Sequence, residues 1–224
     1  MDAPDPAPPV TRDSQPVAHD ASPAKYTTSD YLFQFTTITA GVLIALLVNG
    51  LVEARNNRNL VRDARATIAR EIAANRTDLD KTLAGYDADD KALERAITFA
   101  TEMLASKTTK VNELNLHVNL ADVSSTAWRT AERTGALSHM DYDEVQKYSK
   151  LYDLQDLFVE QQRSMLSRLS AASAILTGDF DPDNPNPKDL ENFREQVMQM
   201  SAALEVQAQF AKRLAESYAD LLKP

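Results

Sequence analysis

Residues 141–223 read DYDEVQKYSKLYDLQDLFVEQQRSMLSRLSAASAILTGDFDPDNPNPKDLENFREQVMQMSAALEVQAQFAKRLAESYADLLK, and this stretch decides the fold. Asp141 stands where a helix N-cap belongs, with Glu144 three residues on and Met140 placed to staple onto Val145. Tyr148, Leu151, Leu154, Phe158, Met165, Leu169, Ala172 and Leu176 then recur with the 3–4 rhythm of one helix face. Gly178 and FDPDNPNP break the pattern. Asn186 caps the next helix, and Pro187 sits at its first position, where a missing N–H is harmless. Leu190, Phe193, Val197, Met200, Leu204, Leu214, Tyr218 and Leu221 carry the second stripe, broken at Gln207 and shifted slightly by Val206 and Phe210. The segments 142–177 and 187–222 would each be roughly 54 Å long. Equal lengths and a short loop predict an antiparallel hairpin.

Working back, Val61, Ala64, Ile68, Ile72, Asn75 and Leu79 make another helical stripe. Asn75 interrupts it, either fixing register as buried asparagines do in coiled coils or sitting at a water-bonded edge. Gly85 and the following acidic cluster predict a helix end. A second helix would start at Asp89 and Asp90, whose charges suit a helix N-terminus, and run to Ser106 over Leu93, Ile97, Phe99 and Leu104. In VNELNLHVNL (111–120), Leu114, Leu116, Val118 and Leu120 alternate with Asn115, His117 and Asn119. That period is strand-like, and a lone strand leaves its edges unpaired, so an extended connector lying in the helix groove is expected. Trp128 then lies on a short helix stopped at Thr134–Gly135.

Tyr31 to Val52, YLFQFTTITAGVLIALLVNGLV, carries no charge. Twenty-two helical residues span about 33 Å, the thickness of a bilayer core. An uncleaved anchor is expected; a soluble core helix would show a polar face, and a signal peptide would have a short basic leader. Residues 1–30, rich in Pro, Asp and Ser, read as a disordered acidic tail. Arg55, Arg58, Arg62 and Arg65 follow the span, whereas Lys25 and Arg12 precede it among aspartates. The positive-inside rule then places residues 53–224 in the cytoplasm, with the periplasm as the alternative. The fold expected is all-α: a transmembrane helix continuous with an elongated antiparallel bundle of about four helices.

Two stretches together carry a resemblance. They are GVLIALLVNGLVEARNNRNLVRDARATIAREIAANRTDL, a span running into a basic helix, and SSTAWRTAERTGALSHMDYDEVQKYSKLYDLQD, a Trp-bearing short helix before a Tyr-rich one. Over residues 35–160 the chain resembles a group of uncharacterised single-span bacterial membrane proteins with helical extramembrane domains. The resemblance implies a bacterial envelope protein and brings no activity with it; the expected location is the bacterial inner membrane, crossed once.

Composition narrows the chemistry. The net charge of −9 disfavours nucleic acid, which requires a clustered cationic surface. With no cysteine in 224 residues, disulfides, thiolate metal sites and cysteine nucleophiles are excluded. Asp179, Asp181 and Asp183 alternate like a calcium loop, but Asn184 and Leu190 occupy its glycine and final acidic positions. His19, His117 and His139 share no metal-ligand spacing. No phosphate-binding glycine loop, nucleophile elbow or HExxH occurs, so no enzyme activity, metal or cofactor is expected. Two constellations suggest membrane roles. Thr37, Gly41, Ala45 and Asn49 recur every four residues on one face of the span and suit homo-oligomeric packing. Arg55, Arg58, Arg62 and Arg65 form a stripe suited to anionic lipid headgroups. A membrane-anchored interaction or scaffold protein with a protein partner is the leading expectation. The alternative is a helical sensor that binds a small ligand between helices.

Overall fold

Between Thr28 and Ser106 the sequence contains no proline, and the backbone runs as one helix, α1, of 79 residues. The computed structural model describes residues 28–111, 113–178, 180–181 and 184–223. The expected tail over residues 1–30 falls almost wholly outside them, as do His19, Asp179 and Asp183. After α1 come α2 (Thr126–Arg133), a 3₁₀ turn (Ala136–His139), α3 (Tyr142–Thr177) and α4 (Pro187–Leu221). Among the described residues 84% are helical and none is in a strand. The chain divides between Val52 and Glu53 into two units.

The helix end expected at Gly85, and the separate helix expected to begin at Asp89, are corrected. A single glycine costs a helix only about 1 kcal/mol, too little to stop one whose flanks are buried. Gly85 serves close approach instead. A Cβ there would come within 2.6 Å of Asn119 Nδ2 and 2.8 Å of its Cγ. Asp89 is fully buried, and its carboxylate accepts from the Asn119 backbone N–H and side-chain amide, both at 2.7 Å. The helix ends instead at Ser106, where Lys107 takes φ +54° and Glu102 accepts from Thr109 Oγ1 and the Lys110 N–H.

From Glu113 to Ser125 the chain returns extended along α1. Its successive bonds reach Asp89, then Asp78 through the Asp122 N–H, then Asn75 and Glu71 through Ser124. Leu114, Leu116 and Val118 pack against the core, and Leu120 is exposed. Beyond Asn119 the inward register moves by one residue, so Ala121 and Val123 face in.

This return lets α1 and α3 run in the same direction. Arg65 pairs with Glu144, Glu71 with Tyr152 and Asn75 with Gln155, so the partner number climbs with position along α1. α4 runs the other way beside α3: Tyr218 meets Gln155 and Gln199 meets Arg168. In the unit from Glu53 onward, buried positions recur every seven residues on each long helix. On α1 they are Ile72, Leu79, Tyr86, Leu93 and Ala100; on α3, Leu151, Phe158, Met165 and Ala172; on α4, Leu190, Val197, Leu204, Ala211 and Tyr218. A mean spacing of 3.5 keeps one seam turned inward along a long helix. The result is a bundle-like core. At one end Phe99 closes it, lying 6.3 Å from Phe180 and 6.5 Å from Phe193.

Gly85→Ala should therefore lower stability by about 1–2 kcal/mol in chemical denaturation, although alanine is the better helix former. In an Asn119→Ala background the same change should become neutral or stabilising. A stabilising Gly85→Ala in the otherwise native chain would show that the close approach carries no energetic weight.

Candidate functional site

Two regions are unlike ordinary helix packing: the first 25 residues of α1, and a polar seam inside the unit that begins at Glu53.

From Tyr31 to Val52, each large apolar side chain is more than half exposed, from 53% at Val52 to 76% at Phe33. This stretch is long and apolar enough to cross a membrane, and none of it is buried within the chain. Thr36 and Thr37 turn their hydroxyls back onto the carbonyls of Leu32 and Phe33, so their polarity is satisfied inside the helix. Thr37, Gly41, Ala45 and Asn49 are all exposed, and nothing lies within 4 Å of a Cβ placed on Gly41.

The polar seam begins with Asn75, 2% exposed. Its amide takes the Ser124 N–H at 2.9 Å and donates to the Ser124 carbonyl at 2.7 Å and to Gln155 Oε1 at 3.1 Å. Gln162 clamps Ala121 in the same two-point way, accepting from its N–H at 2.7 Å and donating to its carbonyl at 2.9 Å. Two amide side chains thus supply the backbone partners that a neighbouring strand would have given. Gln155 Nε2 adds a bond to the Ser124 carbonyl, and the Tyr218 hydroxyl donates to Gln155 Oε1 at 2.5 Å.

Glu71 completes the seam. The side chain of Ser125, which precedes α2, makes no capping bond. Instead Glu71 reaches over from α1 and accepts from the Ala127 N–H at 2.8 Å and, more weakly, the Trp128 N–H at 3.4 Å. It also accepts from Ser124 Oγ and the buried Tyr152 hydroxyl. Trp128 stacks on Tyr152 with ring centroids 5.3 Å apart and leans on Tyr148. Burial raises the Tyr152 pKa, and the Glu71 carboxylate raises it further by holding the neutral donor form. Near Asp89, the Tyr86 hydroxyl lies beside the Gln207 amide without closing a bond of normal geometry, and burial pushes it up to about 12.

The four arginines after the apolar stretch separate. Arg65 is committed: its guanidinium donates twice to Glu144, at 2.8 and 2.6 Å, which keeps Arg65 protonated to still higher pH. That also replaces half of the capping box expected at α3, since Glu144 points to α1 while Asp141 alone accepts from the Asp143 and Glu144 N–H groups. Arg62 pairs with its neighbour Asp63 in solvent. The side chains of Arg55 and Arg58 make no hydrogen bond or ion pair among the described residues. Gly135 takes φ +76° after α2, and Asn186 caps α4 by accepting from the Lys188 N–H.

Sequence reasoning missed Glu71, Gln155 and Gln162. The legible signal was a polar residue at helical spacing inside an apolar stripe, as at Gln155 between Leu151 and Phe158. No group of three or more His, Asp or Glu able to hold a metal occurs among the described residues. Compared with protein-family models, curated proteins and solved structures, the chain matches none.

Proposed function

We propose that this chain is a membrane-anchored interaction module, non-enzymatic, whose span is residues 31–52 and whose helical unit from Glu53 presents a surface to a protein partner. The apolar helix that its own chain leaves uncovered carries the reading. Leaving such side chains in water forfeits about 1.5–3 kcal/mol each relative to burial, so a lipid core is their natural surroundings. The polar seam supports the non-enzymatic part, because its carboxylate and amides are taken up in holding the connector. Leu157 and Leu166 of α3 and Met198 and Val206 of α4 are exposed apolar side chains, on more than one helix face, open to a partner. The arginine excess after Val52 favours the cytoplasmic side of a bacterial inner membrane. Within the bilayer, the face of Thr37, Gly41, Ala45 and Asn49 is where a second copy would pack.

The full chain should stay with membranes through an alkaline wash, and Ile44→Lys should release a substantial fraction. A charge at the centre of a span costs about 2.5–3.5 kcal/mol. In the same membranes, Gly41→Leu should weaken a dimerisation reporter carrying residues 30–55 more than Leu43→Ala does. Recovery of the native chain in the wash would sink the anchor. Equal effects of the two span variants would sink the self-association.

The alternative, a sensor for a small ligand between helices, has one observation in its favour. A recess of about 230 Å³ lies at Tyr86, Asp87, Asp90, Ser201, Leu204 and Glu205, close to the unpaired Tyr86 and Gln207. It is smaller than the roughly 300 Å³ from which ligand pockets usually start.

A further inference from the structure

The stripe of four arginines reads in sequence as four equal contacts to lipid, and the structure makes them unequal. Near the start of the helical unit, Asn57, Arg58, Val61 and Arg65 of α1 meet His139 of the 3₁₀ turn around an open recess of about 400 Å³. Val61 is buried there. No acidic side chain lines the recess. Arg65 is drawn off by Glu144 and contributes a fixed wall rather than a spare charge. The side chains of Arg58, Asn57 and His139 have no hydrogen-bond or ion-pair partner among the described residues. One uncommitted guanidinium, one amide and one imidazole therefore converge from two elements on a space large enough for a phosphate group. Guanidinium donors match phosphate oxygens in geometry as well as charge.

We propose that this recess holds the phosphate of an anionic lipid headgroup, with Arg58 as its charge partner and Asn57 and His139 as flanking donors. The proposal rests on the anchor reading. Arg58 follows Val52 by six residues, where that reading puts the headgroup layer. A free phosphate would satisfy the same donors. The lipid is favoured because a headgroup would be present at high local concentration beside a span.

The test uses the full chain in bilayers containing phosphatidylcholine and phosphatidylglycerol, released gently for native mass spectrometry of retained lipid. The native chain should retain phosphatidylglycerol in preference to phosphatidylcholine. Arg58→Gln should lower that retention about fivefold, the worth of one cation near an anionic surface. His139→Gln should lower it less. Arg62→Gln removes the same charge from the same stripe but not from the recess, and should change it little. Equal losses in Arg58→Gln and Arg62→Gln would mean diffuse attraction and overturn the site. Displacement of the lipid by millimolar inorganic phosphate, dependent on Arg58, would overturn the lipid as occupant and identify a free phosphate ligand. If the chain resists the alkaline wash yet retains no anionic lipid, the recess proposal fails while the anchor stands. If it does not resist the wash, the anchor itself has failed.

Discussion

Glu71→Ala should remove about 3–4 kcal/mol of stability, read as a lower urea midpoint with an unchanged slope. Glu71 is a half-buried carboxylate on an otherwise regular helix, so composition alone would price its loss at a few tenths. Its four donors change that. Without it, the Tyr152 hydroxyl is left buried with no acceptor, and the Ala127 and Trp128 N–H groups in the first turn of α2 lose their side-chain acceptor. Hydrogen bonds to a charged group are worth about 1.5–3 kcal/mol each, and the seam shares its losses, so the sum falls short of the parts. The near-UV signal of Trp128 should weaken as well, because its stack on Tyr152 depends on α2 staying in place. In a Tyr152→Phe background, which removes the orphaned hydroxyl, Glu71→Ala should cost at least 1 kcal/mol less. A loss below 1 kcal/mol in the native background would mean that the carboxylate is solvated and the seam is incidental.

Alkaline pH should unfold the helical unit by a route that the tyrosines dictate. Tyr86, Tyr152 and Tyr218 are each raised above the ordinary tyrosine range, with burial the leading cause in all three. A group whose folded pKa is raised contributes stability that is fully present below its unfolded value and lost as pH rises through the folded one. The thermal midpoint should thus hold steady up to about pH 10 and fall beyond it. Tyr86, pushed up to about 12, and the higher Tyr152 and Tyr218 set the upper part of that window. Phenolate absorbance should rise in two stages, the later one coinciding with loss of helical signal. In Tyr218→Phe the late stage should be smaller. One smooth titration with helicity intact throughout would mean that these hydroxyls are open to water.

The hairpin of α3 and α4 was legible because its seam positions are mostly apolar and its ends carry caps. α1 was harder to read. Its seam passes through Asn75, Thr82 and Asp89, three polar residues seven apart, just where an apolar count looks for continuity. Asn75 and Asp89 are polar because part of what covers them is backbone, at Ser124 and Asn119, and backbone asks for acceptors and donors rather than methyl groups. Thr82, by contrast, turns its hydroxyl onto the Asp78 carbonyl of its own helix. A stripe with polar members and a glycine beside them therefore imitates a helix ending. Composition cannot distinguish a side chain that meets water from one that meets a peptide group arriving from some thirty to fifty residues away. The same blindness hid Gln155 and Gln162 on α3. The alternation in 111–120 pointed to an extended segment, and what remained illegible was that two amides and a carboxylate would take the place of a second strand. The arginine stripe was visible as charge, whereas its division into a committed Arg65 and an uncommitted Arg58 depends on where Glu144 falls.

The extended return between α1 and α3 has a consequence for the order in which the chain can be completed. Arg65, Glu71 and Asn75 find their partners 79, 81 and 80 residues further on. At a synthesis rate of about 5–20 residues per second, the inward face of α1 waits roughly 4–16 s before its α3 partners even exist. α3 and α4 meet across a short loop and can pair almost as soon as both are made. α1, made before α3 and α4, is thus the last of the three to be covered. Whatever keeps that half-apolar face from sticking elsewhere in the meantime, whether a chaperone or early delivery of residues 31–52 to a membrane, acts before the fold itself can.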